Sequence, residues 1–352
     1  MIPARLLGLG HATPDHDLHQ DVAREWARTQ FAGRFPAFER MAPVFTNAGI
    51  ARRQIARPVE WYLQPQDWAT RTAAYREVAR ALFIAAAREA IDAAGLTPDA
   101  IDCVVTVSST GIATPSLEAL AQAELGLRTD VTRVPVFGLG CAGGVSGLAL
   151  AARLAAAQPG TRVLLVAVEL CSLSFRSDLL SKSNVVATAL FGDGAAAAVL
   201  STQGPAQLAV VAAAEHLWPD TLDVMGWDVA PHGFGVIFAQ SIPARVARHL
   251  RDALADLCLG MGVAEADIGR FVCHPGGAKV IEALEASLEL GPGALDAERA
   301  VLSDHGNMSA PTVLFVLQRL LADGGFPDDR PGLMLALGPG FTLSGALLTP
   351  AA

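Results

Sequence analysis

The chain repeats itself, and the repeat restricts its fold more than any other feature of the sequence. The stretch "VARALFIAAAREAIDAAGLTPDAIDCVVTVSS" from Val78 resembles "VARHLRDALADLCLGMGVAEADIGRFVCHPG" from Val246. Each reads as an amphipathic helix, a turn near Gly95 or Gly262, and a short apolar strand. Downstream the correspondence continues at almost the same interval: Cys141 opens the helical pattern "AGGVSGLALAARLAA" and Asn307 opens "MSAPTVLFVLQRLLA". Each half closes on a Gly-rich turn and an apolar strand, "LFGDGAAAAVLS" from Leu190 and "LGPGFTLSGALLT" from Leu337. Helices alternating with continuous apolar strands predict an α/β unit whose sheets are buried on both faces. No Ser/Gly-rich or charged linker separates the two halves, residues 1–205 and 206–352, so they are expected to pack as one body.

With 52% hydrophobic and 17% charged residues, the 352-residue chain has ample apolar surface for a large core. A formal charge of -9 without a Lys/Arg-rich block excludes a general nucleic-acid binder. The start, "MIPARLLGLGHATP", is apolar but broken by Gly and Pro, which reads as a first strand and not as a secretory signal. No uninterrupted apolar segment is expected to reach the roughly 18 to 20 residues of a membrane span, so a cytoplasmic protein is expected. Cys103, Cys141, Cys171, Cys258 and Cys273 lack CxxC or zinc-type spacing, and neither a disulfide framework nor a metal site is expected.

The repeat places Cys141 and Asn307 at related helix starts, while His274 follows the strand "RFVC" of the second half. Residues far apart in sequence can then share one pocket. A helix start offers partial positive charge and free N–H groups, which favour a thiolate, and a neighbouring imidazole can take the thiol proton. Gly140, Gly143 and Gly144 are read as permitting a sharp turn and the close approach of a substrate. A cysteine in this setting is a nucleophile toward a carbonyl or thioester, whereas an ordinary free cysteine is a small buried hydrophobe, the reading kept for Cys103, Cys258 and Cys273. His305 in "DHGN" rivals His274 because it neighbours Asn307; His274 is preferred because ligands meet α/β folds at strand ends. Asn307 has the ordinary alternative of a helix N-cap, but an amide can also donate to a developing enolate. Together the three side chains suggest an acyl-cysteine and a stabilised carbanion, which is carbon–carbon bond formation.

The motifs "GCAGG" around Cys141, "HPGG" from His274, "GNMS" around Asn307, "FGDGAAA" from Phe191 and "GPGF" from Gly338 resemble the type III polyketide synthases, the chalcone synthase-like family. The resemblance covers nearly the whole chain. It implies a thiolase-like layered αβαβα fold built from two duplicated halves, a homodimer, and no metal or redox cofactor. It also implies that Cys141 accepts a starter acyl group from coenzyme A, and that His274 and Asn307 hold the malonyl thioester while carbon dioxide leaves. Phe191 matches a gatekeeping phenylalanine, and the second gatekeeper position falls on Val236, which should widen the passage or move the gating role elsewhere. Thr110, Cys171, Ser174, Trp227 and Ser309 match cavity-lining positions, with core packing as their ordinary alternative. Arg40, Arg52 and Arg53 fall in the segment that contacts coenzyme A phosphates, although Asn47 stands where a basic residue is usual. Thr114 replaces a methionine that reaches across the dimer.

"ARRQIARPVEWYLQP" and "MGWDVAPHGFGVIF" look more like the bacterial alkylpyrone and alkylresorcinol synthases than the plant enzymes. That resemblance implies a medium- or long-chain acyl-CoA starter, malonyl-CoA extension, and pyrone or resorcinol products. The nearest alternative is a ketoacyl-carrier-protein synthase of the fatty acid initiation type, which normally has a different histidine tetrapeptide and lacks "GPGF". A cysteine peptidase shares the Cys, His and Asn residue types but does not account for the repeat. A catalytically silent acyl-CoA-binding relative is disfavoured because all three reactive positions are filled.

Overall fold

The computed structural model describes residues 2–326 and 330–351. The first half of the chain runs β1 (Ala4–Ala12), β2 (His16–His19), α1 (Gln20–Phe31), α2 (Phe38–Met41), α3 (Pro43–Asn47), β3 (Arg52–Ile55), α4 (Val59–Tyr62), α5 (Trp68–Ala93), β4 (Cys103–Val107), α6 (Leu117–Leu125), β5 (Thr132–Val136), α7 (Gly143–Ala157), β6 (Val163–Leu170), α8 (Lys182–Leu190) and β7 (Asp193–Ser201). The second runs β8 (Leu208–Leu217), β9 (Met225–Ala230), β10 (Gly233–Phe238), α9 (Ile242–Met261), β11 (Arg270–Cys273), α10 (Ala278–Ser287), α11 (Asp296–His305), α12 (Thr312–Ala322), β12 (Gly332–Gly338) and β13 (Thr342–Pro350).

Local chemistry sets these elements. Asp67 caps α5 by accepting the Thr70 N–H at 2.7 Å. Gly262 closes α9 in the left-handed conformation, as its position after the apolar pattern predicts. All eight residues of β6, "VLLVAVEL", are buried, because both faces of the strand are covered.

Among the described residues, nine strands form one mixed sheet in the order β11-β12-β13-β8-β1-β7-β6-β4-β5. From its middle outward, β1-β7-β6-β4 and β8-β13-β12-β11 repeat one pattern: two antiparallel pairings followed by a parallel one. β5 extends only the first half. The halves join through a short antiparallel run, Ala4↔Val210 to Leu6↔Leu208.

Strand alternation divides the core into layers. Val104, Val166, Val168, Ala195 and Ala197 face α1, α5 and α6, whereas Val105, Leu165, Ala167, Ala196 and Ala198 face α7 and α12. On the other side of that central helical layer lie Met334, Ala336, Ala346 and Leu348, while Leu333, Leu335, Leu343 and Leu347 turn outward to α9 and α10. The result is the expected αβαβα layering. One helical stretch, Gly140–Ala157, does reach span length, with mean hydropathy 1.3 over 18 residues, contrary to the sequence expectation. It is mostly apolar because it fills the central layer between two sheet faces, with Arg153 at an exposed position.

Candidate active site

Cys141 lies in a 3₁₀ turn, Gly140–Ala142, that leads directly into α7. Gly140 has φ +47°, and a Cβ there would sit 2.7 Å from Pro339 of the "GPGF" turn. At Gly144 a Cβ would come 2.2 Å from the Ala310 carbonyl oxygen. The glycines thus admit the second half of the protein itself, not a substrate as the sequence suggests, and this approach draws the Asn307 segment up to Cys141. The Cys141 Sγ lies 3.9 Å from Asn307 Oδ1.

Asn307 is not the N-cap of α12, which begins at Thr312 after Pro311. It sits instead in an isolated bridge with Phe191, where its N–H donates to Leu190 O at 2.9 Å and its carbonyl accepts from Gly192 N at 3.0 Å. Its side chain is oriented from both ends: Oδ1 accepts from the Ser309 N–H at 2.8 Å, and Nδ2 donates to Gly276 O at 3.2 Å. One of the two Nδ2 hydrogens stays uncommitted within the protein. His274 follows β11 as expected, and its N–H donates to Leu335 O at 2.8 Å. Both of its ring nitrogens are buried without a protein partner. His305 instead hydrogen-bonds Gln54 Oε1 through Nδ1 at 2.8 Å and stands edge-on to Phe315, which removes the rival.

Burial governs the charges. It pushes the Cys141 thiol up to about 11, with the Glu169 charge adding to the rise against side-chain hydrogen bonds with Ser309 and Asn307. The helix start therefore does not make the thiol easy to ionise on its own, because loss of water outweighs it. Burial also pushes the His274 imidazole down to about 4. Neither charge is favoured alone, whereas moving the thiol proton to the imidazole creates the two opposite charges together and lets each offset part of the other's desolvation.

Cys141, His274 and Asn307 line one narrow cavity, together with Met225, Phe238 and Leu337. On the outer side it shares Phe238, Ile242, Gly276 and Val280 with a mouth that carries Arg40, Asn47 and Lys279. On the inner side it shares Cys141, Met225 and Phe238 with a chamber also lined by Cys171, Phe191, Trp227, Val236 and Ser309. Seven of the expected residues are thus brought to adjoining spaces around Cys141, in addition to Arg40 at the mouth.

Others go elsewhere. The Thr110 hydroxyl donates to Glu169 at 2.7 Å and accepts from the Leu170 N–H at 2.8 Å, and the residue lines none of these spaces. Ser174 faces a separate recess behind Cys171 and donates to Cys171 O at 2.6 Å. Arg52 is exposed on β3, away from the mouth, and pairs with Asp17 at 3.5 Å. Arg53 is only 1% exposed and cannot reach a phosphate: its guanidinium donates to Thr188 O at 2.7 Å and Ala189 O at 2.6 Å. Burial lowers its pKa to about 10, with Asp193 opposing the shift.

Three residues were missed. Glu169 is fully buried behind the chamber, where desolvation pushes its carboxyl up to about 7 against hydrogen bonds from Ser109 and Thr110. A lone acid in an otherwise apolar strand was the available signal. Phe238 stands edge-on to Phe191, with ring centroids 5.9 Å apart, and borders mouth, catalytic cavity and chamber alike. It lies two residues beyond Val236, on the same face of β10, so the aromatic side chain absent at one position is supplied at the next. Lys279, in "GGAKV", adds a second cation to the mouth.

A cysteine, a histidine and a carboxamide drawn from two repeated halves of a layered αβαβα fold define a condensing enzyme of the thiolase-like class. The solved 1,3,6,8-tetrahydroxynaphthalene synthase of Streptomyces coelicolor A3(2), a bacterial type III polyketide synthase, matches with a TM-score of 0.93 and 30% identity over 99% of each chain. A fungal type III polyketide synthase matches with a TM-score of 0.89 and 26% identity, over 99% of this chain and 100% of the other. The 1,3,6,8-tetrahydroxynaphthalene synthase of Streptomyces peucetius subsp. caesius is 42% identical over 309 residues, covering 86% of this chain and 81% of the relative. Models of the N-terminal and C-terminal domains of chalcone and stilbene synthases match residues 64–204 and 209–351. The chain belongs to the chalcone and stilbene synthase family and is a type III polyketide synthase, an acyltransferase-type enzyme that uses coenzyme A thioesters and needs no cofactor.

Proposed function

We propose that the protein condenses malonyl-CoA repeatedly onto a medium- or long-chain acyl starter held on Cys141, then cyclises the product to a pyrone or resorcinol. The observation that carries this reading is that the Cys141 thiol, the Asn307 amide and the two unpartnered nitrogens of His274 line one cavity. His274 takes the thiol proton as Cys141 sulfur attacks the starter carbonyl, and the coenzyme A thiolate leaves with that proton. Malonyl-CoA follows. Its thioester oxygen accepts from the free Asn307 Nδ2–H and from His274, so that loss of carbon dioxide leaves an enolate stabilised by two donors. The enolate carbon attacks the acyl-cysteine carbonyl, a carbon–carbon bond forms, and the Cys141 thiolate departs ready for the next round.

Arg40 and Lys279 stand at the mouth, where a coenzyme A phosphate would rest; Arg52 and Arg53 leave the proposal. A fatty starter is supported by the small side chains Cys171 and Val236 in the chamber wall. The repeated strand order supports two halves meeting near residues 205 and 206. A homodimer is supported by the exposed Ile112 and Phe137, 51% and 57% accessible, flanking a hollow beside the edge strand β5. Five free cysteines suit a reducing, cytoplasmic setting.

A second reading, synthesis of 1,3,6,8-tetrahydroxynaphthalene, is favoured by the 42% identity to the Streptomyces peucetius enzyme. Incubation with malonyl-CoA and acyl-CoAs of graded length, followed by mass spectrometry, separates the two. The fatty reading expects products that carry the starter chain, with a preference beyond about eight carbons, as burial of further methylenes stabilises binding. Products only from malonyl-CoA or aromatic starters refute it.

A further inference from the structure

The strand that delivers His274, β11, is an edge of the sheet and pairs only with β12, in parallel. The His274 N–H donates to Leu335 O at 2.8 Å. Successive N–H groups alternate across a strand, so the Cys273 N–H turns off the open edge, where no strand can take it. Arg270 and Phe271, at the start of β11, are half-buried, but Cys273 is 1% exposed and out of reach of bulk water. Glu298, fully buried in the first turn of α11, supplies the acceptor: its Oε1 takes the Cys273 N–H at 2.9 Å. Packing alone would not select a carboxyl here, because its other oxygen is buried with no protein partner.

The same helix delivers the other donor of the site. α11 ends at His305, Gly306 turns the chain at φ +66°, and Asn307 follows. From there Asn307 Nδ2 reaches back to Gly276 O at 3.2 Å, two residues past His274. The α11 segment and the chain around His274 are therefore tied twice, by Glu298 one residue before the histidine and by Asn307 two residues after it. Between the ties, neither nitrogen of the imidazole has a protein partner. No side chain orients the ring through those nitrogens, so its place depends on the backbone that carries it.

We propose that Glu298 is a positioning residue for the condensation: by holding the Cys273 N–H it fixes His274 against the Asn307 amide, so that both donors meet one thioester oxygen. The inference rests on the assignment of His274 and Asn307 to the malonyl thioester and deepens it. A shift of about 1 Å between such groups can lower a rate by roughly 10², even when its origin lies outside the site.

Glu298→Met keeps the length of the side chain and removes the oxygen, whereas Glu298→Gln keeps an oxygen where the Cys273 N–H needs one. The quantity to follow is carbon dioxide release from malonyl-CoA. In Glu298→Met, kcat should fall about tenfold or more while KM stays within about threefold of the wild type, because the cations at the mouth are untouched; Glu298→Gln should bring kcat back to within about threefold. The decisive comparison is the Asn307→Asp background, where one of the two donors is already gone: Glu298→Met should there cost less than about threefold, whereas damage unrelated to the pair would multiply through undiminished. If the Met variant does not fold, Glu298→Asp, which withdraws the carboxylate by one methylene, takes its place in both comparisons. A folded variant that keeps the wild-type kcat, or a loss that multiplies fully with that of Asn307→Asp, overturns the positioning role. His274→Ala and Asn307→Asp proteins that release carbon dioxide at the wild-type rate overturn instead the assignment on which it rests.

Discussion

Replacing Asn307 by Asp separates the chemical role of the side chain from its structural one. Both residues have the same shape. The carboxylate still accepts from the Ser309 N–H, now 2.8 Å from Oδ1, but its second oxygen faces the Gly276 carbonyl, which presently accepts from Nδ2 at 3.2 Å. One buried carbonyl then lacks a donor, at a cost of about 1–3 kcal/mol of stability. Asn307→Ala would strand the Ser309 N–H as well and roughly double that figure, which makes Asp the cleaner variant. The donor to the enolate is also lost, and removal of a comparable oxyanion donor costs about 2.7–4 kcal/mol, a drop of roughly 10²–10³ in condensation rate. Starter loading does not use the Nδ2 donor, although a carboxylate 3.9 Å from the Cys141 Sγ raises the thiol further and slows loading. Intact-mass detection of acyl-Cys141 should therefore persist in Asn307→Asp, while release of carbon dioxide and extended products falls by the stated factor. A folded variant that condenses within about threefold of the wild type refutes the assignment of Asn307 to the enolate.

Two further outcomes follow from the same structure. Glu298 is buried on α11 and accepts from the Cys273 N–H at 2.9 Å; burial raises its carboxyl from 4.5 to about 7, opposed mainly by that hydrogen bond. Its folded pKa lies above its unfolded one, so this stabilisation is complete below about pH 4.5 and lost as the pH rises through 7, by about 3 kcal/mol in all. Glu298→Gln lacks the term, and the stability of the wild type relative to it should fall by about 2–3 kcal/mol between pH 5 and 8 in urea unfolding; a pH-independent difference contradicts the assigned burial. Phe137→Asp puts a charge on the exposed apolar hollow beside β5 and should convert a sedimenting dimer to monomer, whereas an unchanged dimer moves the interface elsewhere.

Much of the architecture was readable because it is written in local periods. The helix patterns from Val78 and Val246 and the apolar strands from Asp193 and Thr342 appear where the repeat predicts them. Cys141 was legible from its glycines and His274 from the strand before it, although the reason for the glycines differs: Gly144 clears the Ala310 carbonyl. The failures share one cause. Arg53 looked like a phosphate ligand until its acceptors on α8, 135 and 136 positions away, enclosed it. Thr110 looked like a cavity wall until Glu169 claimed its hydroxyl. Asn307 was placed at a helix start, five residues before α12 begins, because helix patterns show where apolar spacing begins, not where the backbone starts to coil.

The sequence alone determined the duplicated α/β layering and the residue types able to condense thioesters, since helical and strand periods and the glycine turns are properties of neighbouring residues. Only the tertiary structure decided which side chains share water-free space: that His274 keeps both nitrogens unpartnered, that burial and not the helix start sets the Cys141 thiol, and that Phe238 meets Phe191. Burial, desolvation and hydrogen-bond partnership depend on contacts between segments far apart in the chain, and no local pattern encodes them.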